Sequence, residues 1–325
     1  MKLDLHGSYE TTQNGTRQMY YCRCCRHIFS ETQGTFLACL RKPISLISQV
    51  FKARTDGMGV NATCRVFGIA KNTLLHWECR FAVLKDVLMI FMLLHTFLRQ
   101  MVEADELYTK VGKNVPVEEC EGWTIVFMDR ATRFIWEMKA GKKDRTLFFW
   151  GIKMLKQVIE RTQDVTLVTD GERRYGKILF EICHEVVRSG ALGRPPKVLR
   201  KNLRVRLKNK GDKGSKEGRD KYEAPQREHP ETVQNIQNHE IHANHVEALN
   251  ASIRRKNSAY TRRCNMYAKN VDGLQRTLNI FWIAHNFIRV HFTTKQVPAV
   301  AIGVLDAGLS WDSVFKMQKH NPVFC

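Results

Sequence analysis

No stretch of the sequence is long and apolar enough to span a bilayer. The most apolar run, Val87–Leu98, falls short of the roughly 20 residues a spanning helix needs, and Lys85, Asp86 and Arg99 bracket it. It reads as a buried helix. Residues 1–15 hold no apolar core or cleavage site, so no signal peptide is expected. No internal repeat is visible, and there is no compact cysteine framework. The ten cysteines, at 22, 24, 25, 39, 64, 79, 120, 183, 264 and 325, are scattered, which points to reduced thiols and a cytoplasmic protein. Acids are the scarce charge: 32 Asp+Glu stand against 52 Lys+Arg, a net charge of +20. An excess of that size concerns partners, and phosphate is the usual one. With no membrane segment in view, nucleic acid is favoured over an anionic bilayer.

The 325 residues allow about two domains. A hydrophobic content of 43 % is enough for real cores and excludes wholesale disorder. Residues 1–45 are rich in Cys, Thr, Gln and Arg with little periodicity; 46–101 carry helical patterning, ending in a linking helix Phe81–Met101. The patterning then turns strand-like in VEADELYTKVG (102–112) and in GWTIVFMDRATRFIWEMKAG (122–141), a hairpin turning at Asp129–Thr132, where Asp129 reads as structural. A helix follows, about Asp144–Arg161, capped by Asp144, then a buried strand VTLVTDG (165–171) and a helix over 173–183. Residues 194–227 hold thirteen basic residues against four acids. Within them Val198–Leu207 hints at a strand, and 208–221 reads as a basic loop. Helices are expected at about 240–256 and 271–292, and 301–325 as a tail. Strand, hairpin, helix, strand, helix is an α/β order with an antiparallel element, and such a sheet can present acids at one edge.

Three groups of acids stand where chemistry could use them. Glu103, Asp105 and Glu106 lie on the first strand; Asp170 ends the buried strand before Gly171; Glu247 lies on a helix with Asn250, Ala251 and Arg254 on the same face. Three converging carboxylates repel one another unless cations neutralise them. Two divalent ions about 4 Å apart would do so and support in-line phosphoryl transfer, and magnesium leaves room for water and phosphate oxygens. Taken singly each acid has a plainer reading: Asp170 as a turn former, Glu247 as a surface acid, and His239, His242 and His245 as ordinary polar residues. Adjacent strand residues face opposite ways, so pattern alone does not choose between Asp105 and Glu106.

The segments DELYTKVG (105–112), VTDGERRYG (168–176), HVEALNASIRRKNSAYTRRCNMYAK (245–269) and LNIFWIAHNFIRVH (278–291) resemble the insertion sequence one family of transposases, which belong to the DDE group. The resemblance runs from about Asn14 to Trp311. It implies an RNase H-like catalytic fold over 102–300, with Asp105, Asp170 and Glu247 as the catalytic triad holding two divalent metal ions, magnesium or manganese. It also implies recognition of terminal inverted repeats, transfer to target DNA and a homo-oligomer. A nuclease of the same fold, or a decayed copy acting only as a DNA-binding protein, is the alternative.

Residues 57–81 pattern as a helix-turn-helix: Val60–Phe67, then Gly68-Ile69-Ala70, then a helix from Lys71. Val60, Ala62, Val66, Ile69, Leu74, Leu75 and Trp77 supply its apolar contacts. Lys71, Asn72, Thr73, His76 and Arg80 are its candidate DNA-facing residues. A basic helix over 252–269 adds Arg254, Arg255, Lys256, Arg262 and Arg263 as backbone contacts. YYCRCCRHIFSETQGT (20–35) looks like half of that family's zinc ribbon. Cys22 and Cys25 form its one C-x-x-C, whereas a structural zinc site wants four ligands. A partial zinc-ribbon-like segment over 1–45 is therefore the expectation, with impaired end recognition as its consequence.

Overall fold

The computed structural model describes residues 3–12, 15–95, 101–112, 115–162, 164–187, 194–208, 222–223, 226–233, 236–261 and 266–317. The chain opens with three antiparallel strands, β1 (Leu3–Thr11), β2 (Gly15–Cys22) and β3 (Ile28–Ser30), in that order in the sheet. Four helices follow: α1 (Ile44–Thr55), α2 (Val60–Phe67), α3 (Lys71–Ala82) and α4 (Leu84–His95). Gly68 closes α2 at φ 59°, a left-handed conformation that suits glycine. This tight turn sets α3 against α2, and Leu74, Trp77 and Phe81 bury one side of α3. Val66, expected among the apolar contacts, is 64 % exposed.

The expected single helix Phe81–Met101 is broken. The chain turns at Val83, where the Asp86 amide donates to the Val83 carbonyl, and Met101 already belongs to a strand. The break lets α4 bury Leu84, Leu88, Met89 and Met92, while Val83, Ile90, Phe91 and Leu94 stay exposed.

The larger sheet starts with β4 (Met101–Tyr108), β5 (Trp123–Asp129) and β6 (Ile135–Gly141), an antiparallel meander. Asp129 closes the hairpin turn by accepting from Thr132 N (2.9 Å) and Thr132 Oγ1 (2.6 Å). α5 (Arg145–Ile159) is capped by Asp144, which accepts from Leu147 N at 3.0 Å. β7 (Val165–Thr169) returns parallel to β4, and α6 (Arg173–Cys183) follows. β8 (His184–Val186) and β9 (Lys197–Leu199) form a separate ribbon. The expected strand over Val198–Leu207 is therefore split: Asn202 takes φ 60°, and β10 (Leu203–Lys208) starts anew, parallel to β7. The two-residue β11 (Tyr222–Glu223) pairs with it. The sheet order is β11-β10-β7-β4-β5-β6, a mixed sheet flanked by helices that is compatible with an RNase H-like fold.

α7 (Asn244–Lys256) ends sooner than the basic helix expected over 252–269. Asn257 stops it, turning its side chain to accept from Ala259 N at the head of a short 3-10 turn, Ser258–Tyr260. α8 (Val271–Ile283) runs into a π-turn, Ala284–Ile288. Asn286 there exchanges two 2.9 Å bonds with the backbone of Ile135, fastening the turn to β6. α9 (Pro298–Ala301) and α10 (Trp311–Phe315) complete the described chain. The segment expected as a tail is packed at α10: Phe315 meets Phe81 with centroids 4.1 Å apart, and Phe51 stands 5.3 Å from Trp311. The C-terminal helix thus closes the core of the N-terminal helices. Among the described residues no helix is long and apolar enough to cross a membrane.

Candidate metal and nucleic-acid site

The parallel register of β4 and β7 pairs Glu103 with Val168 and Ala104 with Thr169. One residue beyond the last pair, Asp105 in the middle of β4 comes within electrostatic reach of Asp170, the residue just past the end of β7. Gly171, at φ 75°, then turns the chain away towards α6. Glu103 and Asp105 share one face of β4, and Glu106 points to the other. Glu106 is held there by Lys143 at 3.1 Å.

α7 lies along the Glu103 and Asp105 face, and Glu103 clamps its first turn. Ala243, at the helix N-cap, has no capping side chain. Glu103 Oε2 instead accepts from His245 N (3.1 Å) and Val246 N (2.9 Å), while Oε1 accepts from Arg130 Nε (2.6 Å) and His245 Nδ1 (2.7 Å). Arg130 extends the clamp by donating to the carbonyls of Glu240 (2.7 Å) and His242 (2.5 Å). This carboxylate is fully buried yet compensated on every side.

Asp105, on β4, faces the same helix further along. Its Oδ1 accepts from Glu106 N at 2.8 Å and its Oδ2 from Asn250 Nδ2 at 2.7 Å. Burial pushes its carboxyl up to about 6; the charges of Glu106, Asp170 and Glu247 act in the same direction, against the bond from the Glu106 amide. Glu247, one helical turn before Asn250, is therefore within electrostatic reach, though its side chain is 47 % exposed. Lys208, at the end of β10, brings its Nζ to 4.0 Å from Glu247.

The tightest cluster of potential metal ligands among the described residues is a different one. Glu103, His242 and His245 offer ligand atoms within 4.8 Å of one another, which makes them a possible metal-binding group. Burial lowers the pKa of His242 and favours its neutral, ligand-competent form. Glu103 is less available, since each of its oxygens already accepts two bonds. An ion there would have to displace Arg130 or the helix amides. Asp105, Asp170 and Glu247 do not form so tight a group.

The expected DNA-facing residues divide. Lys71, Asn72 and His76 are exposed on α3 and Thr73 is half-buried. Arg80 turns inward, donating to the Ala38 carbonyl at 2.6 Å, and burial lowers its pKa. It ties α3 to the segment before α1 and does not face outward. Arg254 and Lys256 are half-buried and Arg255 is exposed, with burial lowering the Lys256 pKa. Arg262 and Arg263 lie outside the described residues, as does 209–221 of the basic segment. Two cations of that segment are structural: Arg204 pairs with Asp164 and Arg206 with Glu228, both from within β10. Cys22 is buried, Cys25 half-buried and Cys24 exposed. The turn they occupy is closed by Arg26 N on Cys22 O at 2.8 Å. Among the described residues Cys22 and Cys25 belong to no cluster of three ligands.

Sequence reasoning passed over Glu103 as a clamp and Lys208 as a neighbour of the acids. Neither has a local signal, because each role depends on an element distant in the chain. No family model matches the chain, and no curated protein matches it.

Proposed function

We propose that this chain is a DDE transposase of the insertion sequence one type, with an RNase H-like catalytic domain that cleaves and joins DNA strands. The observation that carries the reading is the junction of β4, β7 and α7. It gathers Asp105 beside Asp170, adds the charge of Glu247, and raises the Asp105 carboxyl. Like charges assembled in this way, with Lys208 as the nearby cation, suit divalent cations, and so the donor set fits the expected metals. Asp105, Asp170 and Glu247 would hold two magnesium or manganese ions, which supply nucleophile activation and charge neutralisation at the scissile phosphate. Asn250 fixes the carboxylate of Asp105, and Lys208 can move from Glu247 to a phosphate oxygen.

The rest of the chain serves DNA in this reading. The α2–α3 pair acts as a helix-turn-helix for the terminal inverted repeats through Lys71, Asn72 and His76. Arg254 and Arg255 grip the backbone of repeat or target DNA. The exposed apolar side of α4 supports assembly as a homo-oligomer, and the protein works in the cytoplasm. Asp170→Asn or Glu247→Gln is expected to abolish magnesium-dependent cleavage and strand joining while DNA binding persists. Strand joining retained by either variant refutes the triad; cleavage without joining by the wild-type chain makes it a nuclease, and DNA binding alone a decayed copy.

A further inference from the structure

A cleft of about 650 Å³ opens between the N-terminal helices and the segment 257–277, and none of Asp105, Asp170 and Glu247 lines it. Its walls come from α2, from Lys71, Leu75 and Glu78 of α3, from the first half of α8 and from the segments 257–259 and 266–270. Helix first turns carry partial positive charge and unsatisfied amides, and neither α2 nor α3 has a side-chain cap. Three exposed cations, Arg65, Lys71 and Lys269, stand at the cleft. Val60, Leu75, Met266 and Leu274 make an apolar wall. The polar floor is Glu78, only 1 % exposed, held by Arg54 Nε at 2.6 Å and Arg276 Nε at 3.4 Å. One aromatic ring lines the space: Tyr267, with Lys269 Nζ 4.4 Å and Lys110 Nζ 5.6 Å from its centroid.

An apolar wall, one ring and a cationic rim are the complement of a nucleotide, with its flat base and its phosphate. The volume falls in the range of pockets for small organic ligands and is far too narrow for a duplex. We propose that this cleft seats an unpaired nucleotide of a DNA strand, its base taking the place of Lys269 over the Tyr267 ring and its phosphate held by Lys269 and Arg65. The inference deepens the DNA reading above and rests on it for the identity of the strand. A single base–aromatic stack is strong enough for its loss to be measured.

The test titrates the 325-residue chain with single-stranded tetrathymidylate and, separately, with a fully paired duplex. The expected result is saturable uptake of the oligonucleotide, weakened about tenfold or more by Tyr267→Ala and by Leu75→Trp, which fills the cleft. Tyr267→Ala is not expected to alter duplex affinity. Lys269→Glu, at an exposed position, repeats the test should either of these disturb folding. No saturable binding of tetrathymidylate, or binding that Tyr267→Ala and Lys269→Glu both leave intact, overturns the inference. A chain that takes up the oligonucleotide but neither cleaves nor joins DNA keeps the cleft and removes the transposase reading.

Discussion

Glu103 and Asp105 lie two residues apart on one strand, on the same face, against the same helix, yet their surroundings are opposite. Glu103 meets a guanidinium, an imidazole N–H and two helix amides. Asp105 meets one amide, one side-chain amide and three like charges. The first carboxylate holds α7 in place; the second is left with charge that a proton or an added cation would relieve. Residue type and spacing are shared, so role follows from what the helix brings: its positive first turn to Glu103 and its acid at 247 towards Asp105. The two candidate cation groups, Glu103 with His242 and His245 and Asp105 with Asp170 and Glu247, divide along the same line.

The largest effect expected from breaking this contrast is on stability. Glu103→Gln strands Arg130 and the first turn of α7, a loss of about 3–5 kcal/mol by analogy with other buried pairs, measured by denaturant unfolding. Asp105→Asn moves the other way. Its folded pKa of about 6 lies above the ordinary 3.8, so ionisation at neutral pH works against folding. Wild-type stability should rise as pH falls from about 6 towards 3.8. The variant should be more stable by up to about 3 kcal/mol at pH 7 without metal, an advantage that shrinks across the same window in melts taken at a series of pH values. Lys208→Gln sharpens the contrast least. Its pairing with Glu247 is long and half-exposed, so melting should register less than about 1 kcal/mol.

Much of the frame is legible in the residues. The strand patterns around Asp105, Trp123, Ile135 and Val165, and the cap at Asp144, carry enough periodicity to show the meander, α5 and β7. Gly68 marks the turn between α2 and α3. The N-terminal sheet is hidden because β1 is exposed along most of its length and irregular between Leu5 and Gly7, so no alternation survives. The break at Val83 is obscured by apolar residues on all sides of it. The packing of α10 on α1 is a matter of partners 264 residues apart, as with Ser48 and Asp312. At the site, the adjacency of Asp105 and Asp170 is a property of strand register, and the burial of Arg204 and Arg206 reflects partners from other segments. A count of basic residues treats those two as free cations, although the fold has already used them.

The contrast between the two carboxylates is tested most directly by thermal melting of the wild-type chain, Glu103→Gln and Asp105→Asn with increasing divalent manganese. A ligand that binds the folded state raises the melting temperature by an amount that grows with the logarithm of its concentration over its Kd. The wild-type chain and Glu103→Gln are both expected to rise with added metal, from different starting points, while Asp105→Asn stays flat. A response lost in Glu103→Gln and kept in Asp105→Asn would contradict the account and assign the ion to Glu103, His242 and His245.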